Sequence, residues 1–166
     1  QFFKVLLCGF LMLTQNSFAD VYEKYIPHAE IVGQGIYSFM FWDVYKAELV
    51  APKGQWSHKK PFALKLSYLR DLKGEAIADR SKKEMRQIGL NDESKLEKWH
   101  QKLREIFPNV QRGDVIVGIH TQKGVVKFYH NENLIGVFED PSFAKWFFGI
   151  WLDEKTSAKS FTNSRT

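Results

Sequence analysis

The strongest candidates for chemistry in this sequence are polar residues around one predicted strand–helix corner. Tyr68 is the last inward-facing residue of a predicted strand, and Arg70 follows it closely. Arg80 lies on the helix predicted to come next. An arginine that faces an apolar cleft can bind a carboxylate or a phenolate through two parallel hydrogen bonds. The alternative is a structural ion pair between one of these arginines and an acidic residue of the same corner. The acidic residues in question are Asp71, Glu75 and Asp79.

Other patterns that carry chemistry are weak in this chain. Gly33 and Gly35 enter a predicted strand and lack a third glycine, so they favour a bend over a nucleotide-binding loop. The five histidines include no pair spaced i, i+4 for a metal, and no serine lies in a Gly-x-Ser-x-Gly elbow. We therefore predict no metal, no cofactor and no catalytic residues of these types.

The composition describes one folded domain. Of 166 residues, 44% are apolar and 15% are aromatic, which excludes a disordered chain. The net charge is +5, but basic and acidic residues alternate along the sequence, so a nucleic acid is not an expected partner. Weak attraction to an anionic membrane surface remains open, and we expect a monomer. The single cysteine, Cys8, excludes a disulfide framework.

The N-terminal residues have the order of a secretory signal. Lys4 precedes an apolar stretch over residues 5–13, and the small-x-small triplet 17–19 ends at Ala19. This order predicts a signal peptide over residues 1–19, a single domain over residues 20–166, and a periplasmic or secreted protein. A buried N-terminal helix is the alternative, but such a helix would be amphipathic. A lipid on Cys8 is disfavoured because Leu7 is not a small residue.

The remaining elements must position the corner. In order they are an extended segment 30–50 that bends near Trp42, a strand 62–69, helices 75–87 and 92–107, three short antiparallel strands within 115–138, and a last helix from 141. Separate runs of strands and helices indicate the α+β class. The first half of segment 30–50 is apolar on both faces, which predicts burial on two sides. The last helix carries a buried aromatic stripe, and Phe148 lies off it, which predicts a second contact or a cleft wall.

Three blocks of sequence resemble the bacterial chalcone isomerase-like domain. The first block is residues 41–52. The second is residues 66–71 followed by residues 77–86, and the third is residues 147–152. The resemblance extends over about residues 30–155. It implies a chalcone isomerase-like, open-faced β-sandwich of the α+β class, in which an antiparallel sheet packs against helices.

The same resemblance implies that the catalytic residues are replaced. Chalcone isomerases hold a phenolate with an arginine and polarise a ketone with hydroxyl-bearing side chains. In this chain, the positions that match the family's hydroxyl- and amide-bearing side chains fall near Met40, Lys73, Arg80 and Trp146. The strand arginine of the family has no clear equivalent, and His28 is the closest titratable residue. Methionine and tryptophan cannot donate to a developing enolate as a hydroxyl does. Catalysis at this site is therefore not expected.

Other relatives with this fold bind fatty acids, using an arginine and a tyrosine on the carboxylate. The resemblance implies such a ligand-binding role for Arg70, Arg80, Tyr68 and Tyr45. Three hypotheses follow. The chain is an exported, non-catalytic domain that binds an apolar or fatty-acid-like acid, an isomerase or intramolecular lyase with a rebuilt site, or an interaction module whose cleft is filled by Phe and Trp.

Overall fold

A computed structural model describes residues 19–156. The predicted signal peptide lies outside this range except for Ala19. The elements are α1 (Ala19–Glu23), β1 (Ala29–Phe39), β2 (Trp42–Pro52), β3 (Phe62–Tyr68), α2 (Gly74–Gln87), α3 (Glu93–Ile106), β4 (Val115–His120), β5 (Val126–His130), β6 (Asn133–Phe138) and α4 (Pro141–Leu152). This order confirms the predicted α+β class. No helix among these elements is long and apolar enough to cross a bilayer.

The six strands form one sheet in chain order, β1 to β6, and every neighbouring pair is antiparallel. Alternation within β3 places Leu64, Leu66 and Tyr68 on the same face. Apolar residues of α2, α3 and α4 join this face in one core, including Met85 and Phe143. The helices therefore cover one face of the sheet, as the resemblance implied.

The opposite face carries a smaller apolar cluster. Ile26, just after α1, is fully buried there against residues of β2, β3 and β4. Val117 and Ile119 of β4 belong to this cluster because they alternate with the helix-facing residues of the same strand. The N-terminal segment thus covers part of the face that the larger helices leave open.

Helix α4 begins with a side-chain N-cap, Asp140, followed by Pro141. The Asp140 carboxylate accepts a hydrogen bond from the Ser142 backbone N–H at 2.9 Å, and Pro141 occupies the first helical turn. Phe147 and Phe148 are both buried. The Phe148 ring meets Phe62 edge-on at 4.8 Å between centroids, which is the second contact expected of this residue.

The β1–β2 hairpin departs from the prediction. Its two strands bend back at Met40 and Phe41, close to the predicted bend, and Met40 takes a left-handed φ of 56°. The prediction that this segment is buried on two sides was wrong, since Phe41 is 95% exposed and Trp42 is 61% exposed. The reason is the register: β2 pairs with β3 only from Tyr45 onward, so the end of the hairpin extends past its neighbour.

Candidate functional site

A cavity of about 320 Å³ lies between the sheet and the helices. Its walls are mainly apolar: Leu66 and Ile116 come from the sheet, Ile77 from α2, and Phe147 and Ile150 from α4. The volume is at the low end of the range of about 300–1,000 Å³ that small-molecule pockets occupy. The cleft is therefore open, rather than filled by Phe and Trp side chains.

Three tyrosines form a row along one wall of this cavity. Tyr37 of β1 is the direct cross-strand partner of Tyr45 in β2, and Tyr45 is the partner of Tyr68 in β3. The rings of Tyr37 and Tyr45 are stacked with centroids 5.0 Å apart, and Tyr68 meets Tyr45 edge-on at 5.9 Å. Strand pairing thus places three hydroxyl-bearing side chains on one apolar surface.

The hydroxyl groups of this row differ in their bonding. The Trp151 indole Nε1–H donates to the Tyr45 hydroxyl at 3.0 Å. Within residues 19–156, the Tyr68 hydroxyl has no hydrogen-bond partner although the side chain is only 3% exposed. Burial raises the pKa of both tyrosines well above the usual range, and the Trp151 hydrogen bond opposes this shift at Tyr45. Both phenols therefore remain neutral and able to donate a proton in a hydrogen bond.

The charged residues of the cavity lining are Arg80 and Glu84, which form an ion pair. The Arg80 side chain is 39% exposed, whereas Glu84 is only 4% exposed. The Arg80 guanidinium also lies 5.9 Å from the ring centroids of Tyr37 and Phe39. A guanidinium has five N–H donors, so one carboxylate does not use all of them. Arg80 can thus hold Glu84 and still donate to an anionic ligand.

The acidic residues proposed as alternative partners of the arginines are engaged elsewhere. Asp71 accepts a hydrogen bond from the Arg112 backbone N–H at 2.9 Å. Glu75 pairs with Arg104. Asp79 Oδ1 lies 2.6 Å from Nε2 of His100, which is buried. The corner therefore does contain ion pairs, but among residues 19–156 none involves Arg70.

The structure brings together Tyr45, Tyr68 and Arg80 of the predicted site, but not Arg70. The Arg70 guanidinium lies over the Trp42 ring, 4.6 Å from its centroid, and it does not line the cavity. Three positions that the resemblance matched to catalytic groups are also absent from the lining, namely Met40, Lys73 and Trp146. The ligand-binding roles themselves remain predictions.

Sequence reasoning missed two residues of the site. Glu84 follows Arg80 by four positions on a predicted helix, and this spacing places two side chains on one face. The Arg80–Glu84 ion pair could therefore have been predicted from the sequence. Tyr37 was harder to find because the register of β1 against β2 shifts between Tyr37 and Ser38. Residues 19–156 contain no group of three or more His, Cys, Asp or Glu side chains that could hold a metal ion.

Comparisons with known proteins agree with this architecture. The family model described as chalcone isomerase-like matches residues 27–164, so the chain belongs to the chalcone isomerase-like family. Among solved structures, a fatty-acid binding protein of Arabidopsis thaliana superposes with a TM-score of 0.63 at 10% sequence identity, over 84% of this chain and 89% of that chain. No curated protein sequence matches this chain. The chalcone isomerase-like family and fold are thereby confirmed, whereas the bacterial origin stays a prediction.

Proposed function

We propose that this chain is a non-catalytic binding domain whose ligand is an apolar molecule with an acidic head, such as a medium-chain fatty acid. The observation that carries this proposal is the open, mainly apolar cavity, whose charged lining consists of the Arg80–Glu84 pair. The similarity of the fold to that of a fatty-acid binding protein from Arabidopsis thaliana supports this class of ligand.

Arg80 is the better candidate for the head group because it lines the cavity and Arg70 does not. The neutral hydroxyl of Tyr68 is a second donor in the same wall. A hydrogen bond to a charged group contributes about 1.5–3 kcal/mol, and each buried CH₂ adds about 0.8 kcal/mol. Micromolar affinity needs about 8 kcal/mol after association costs, which a medium chain can supply.

A non-catalytic role is favoured by the positions that replace the isomerase hydroxyls. Met40 is 76% exposed at the end of the hairpin, and Trp146 lies outside the cavity lining. Catalysis of the isomerase type needs donors that converge on the reacting oxygen. An assay of chalcone cyclisation should therefore give only the spontaneous rate.

Export to the periplasm or the medium of a bacterial host, as a monomer, is part of the same proposal. It is supported by the order of residues 1–19 and by the absence of cysteine from residues 20–166, which suits an oxidising compartment. N-terminal sequencing of protein from its host should find Asp20 first. A mature chain that retains residues 1–19 would contradict export by this route.

A pair of substitutions at one lining residue tests the binding site. Ile116 of β4 is 3% exposed and contributes to the cavity wall. Ile116→Phe should occupy the space of the alkyl chain and abolish binding of decanoate in calorimetric titration. Ile116→Val leaves that space open and is the matched control. Undiminished binding by a folded Ile116→Phe protein would place the ligand elsewhere.

A further inference from the structure

We propose that the end of the β1–β2 hairpin, residues 39–42, docks on an anionic lipid bilayer and loads the cavity from it. We call these residues the hairpin tip. The docking step stands on the exposed residues alone, whereas the loading step rests on the function proposed above.

The hairpin tip is a contiguous apolar surface with no cover from the described part of the chain. Phe39 is 53% exposed, Met40 is 76% exposed, Phe41 is 95% exposed and Trp42 is 61% exposed. Exposed apolar patches of this kind mark sites of interaction with proteins or membranes. Tryptophan and phenylalanine in particular are favoured where a protein meets the interfacial region of a bilayer.

Two arginines accompany the aromatic residues of the tip. The Arg70 guanidinium lies 4.6 Å from the centroid of the Trp42 ring, and the Arg80 guanidinium lies 5.9 Å from that of Phe39. Two acidic residues also lie in this region: Asp43 accepts a hydrogen bond from the Ser38 hydroxyl at 2.5 Å, and Glu84 forms an ion pair with Arg80. Arg70 forms no ion pair with any residue of the range 19–156, so it is the cation available to an anionic head group. Cations beside apolar rings match the anionic head groups of a lipid surface.

Charge also distinguishes a lipid surface from a second copy of this chain. Two tips brought face to face would place one Arg70 guanidinium near another, and the chain as a whole carries a net charge of +5. An anionic bilayer instead accommodates both the rings and the cations. The hairpin tip therefore fits a bilayer better than it fits itself.

The hairpin tip continues directly into the cavity. Phe39 belongs to the tip and also lines the cavity, together with Ala76 and Arg80, which are likewise accessible from outside. Docking of the tip thus brings the cavity opening to the lipid surface. An alkyl chain can then pass from the bilayer into the cavity without full exposure to water, which its transfer through solution would require.

Vesicle flotation tests the docking step with the full domain. Vesicles of phosphatidylcholine with phosphatidylglycerol should bind the wild type, and Phe41→Ser/Trp42→Ser should bind at least about tenfold more weakly. Leu134→Ser is the matched control, because Leu134 is 51% exposed on β6 at the other edge of the sheet. Arg70→Gln should lose about fivefold on these vesicles and nothing on phosphatidylcholine alone. Equal binding by the wild type and the double variant would overturn the proposal.

Transfer of a fluorescent medium-chain acid from loaded protein to vesicles tests the loading step. The rate should rise with vesicle concentration for the wild type and become independent of it for Phe41→Ser/Trp42→Ser. Neither substituted residue lines the cavity, so equilibrium binding of the free acid in solution should be unchanged.

The two proposals fail in different ways. A wild type that floats with vesicles but binds no acid would overturn the fatty-acid function and leave docking in place. A wild type that binds the acid but never floats would overturn docking alone. Self-association in sedimentation experiments that the double variant abolishes would assign the hairpin tip to a second copy of the chain, and would also overturn docking.

Discussion

Arg80 and Glu84 form an ion pair in which the carboxylate is almost wholly buried and the guanidinium is 39% exposed. They lie one helical turn apart on α2, and both line the cavity. The pair therefore presents its cation towards solvent and the cavity, while the acid holds that cation in place. A ligand with a carboxylate must share Arg80 with Glu84.

This arrangement predicts opposite effects for two substitutions. Glu84→Gln releases N–H donors of Arg80 and removes a like charge, so affinity for decanoate should rise about tenfold. Arg80→Gln removes the cation, and affinity should fall about tenfold. Calorimetric titration measures both. Decanol has no charge, so neither substitution should change its affinity by more than about twofold.

The Arg80→Gln variant needs a stability control because it leaves the buried Glu84 carboxylate without its cation. Arg80→Gln/Glu84→Gln removes both charges and should unfold at a denaturant concentration close to that of the wild type. If this double variant binds decanoate as tightly as Glu84→Gln does, the head group does not contact Arg80.

Much of the fold follows from patterns that a single sequence displays. The Asp140–Pro141 start of α4 and the alternation around Leu64 and Leu66 each have a local cause, so element type and order were predictable. The position of the Arg70 side chain could not be predicted in this way. This side chain contacts Trp42, which is 28 positions away in a hairpin whose register includes a bulge.

The exposure of the hairpin tip shows the same limit. An apolar segment is predicted to be buried because most apolar segments are buried. Nothing in the local sequence indicates that β3 ends before it reaches the tip. The length of a neighbouring strand is a tertiary property. The row of Tyr37, Tyr45 and Tyr68 depends in the same way on strand pairing, so only part of the candidate site was visible in the sequence.

The hydrogen bond between Tyr45 and Trp151 joins the sheet to α4. Tyr45→Phe would leave the buried Trp151 Nε1–H without its acceptor, and the free energy of unfolding should fall by about 1–3 kcal/mol. Tyr68→Phe is the matched control, because its hydroxyl has no partner within residues 19–156. Urea denaturation should show a loss of under about 0.5 kcal/mol for this control. Equal losses for the two variants would mean that the Trp151 hydrogen bond contributes nothing.

Two neighbouring aromatic residues of α4 should differ in their contribution to stability. Phe147 is 4% exposed and its ring contacts those of Phe128 and Phe143, so Phe147→Ala should cost about 3–5 kcal/mol. Trp146 is only half-buried, and Trp146→Ala should cost about 1–2 kcal/mol. Urea denaturation of both variants measures the difference. Similar losses would show that the stripe along α4 is buried evenly, as its spacing alone suggests.

The last prediction concerns pH and starts from His120 at the end of β4. Its ring packs against Phe62 with centroids 4.9 Å apart, and its Nδ1 lies 3.3 Å from the Lys60 carbonyl oxygen. Burial lowers the pKa of His120, with nearby His58 acting in the same direction and the Lys60 hydrogen bond opposing it.

A histidine with a lowered pKa in the folded state takes up a proton later than the unfolded chain does. As the pH falls below the ordinary value of 6.5, the unfolded state is therefore protonated first, and stability is lost until the folded pKa is reached. His120→Gln removes this contribution. The free energy of unfolding of the wild type, relative to that of this variant, should therefore fall as the pH is lowered from about 7.5 to about 5.5. Urea denaturation at both pH values measures it, and a constant difference would mean that His120 titrates alike in the folded and unfolded chains.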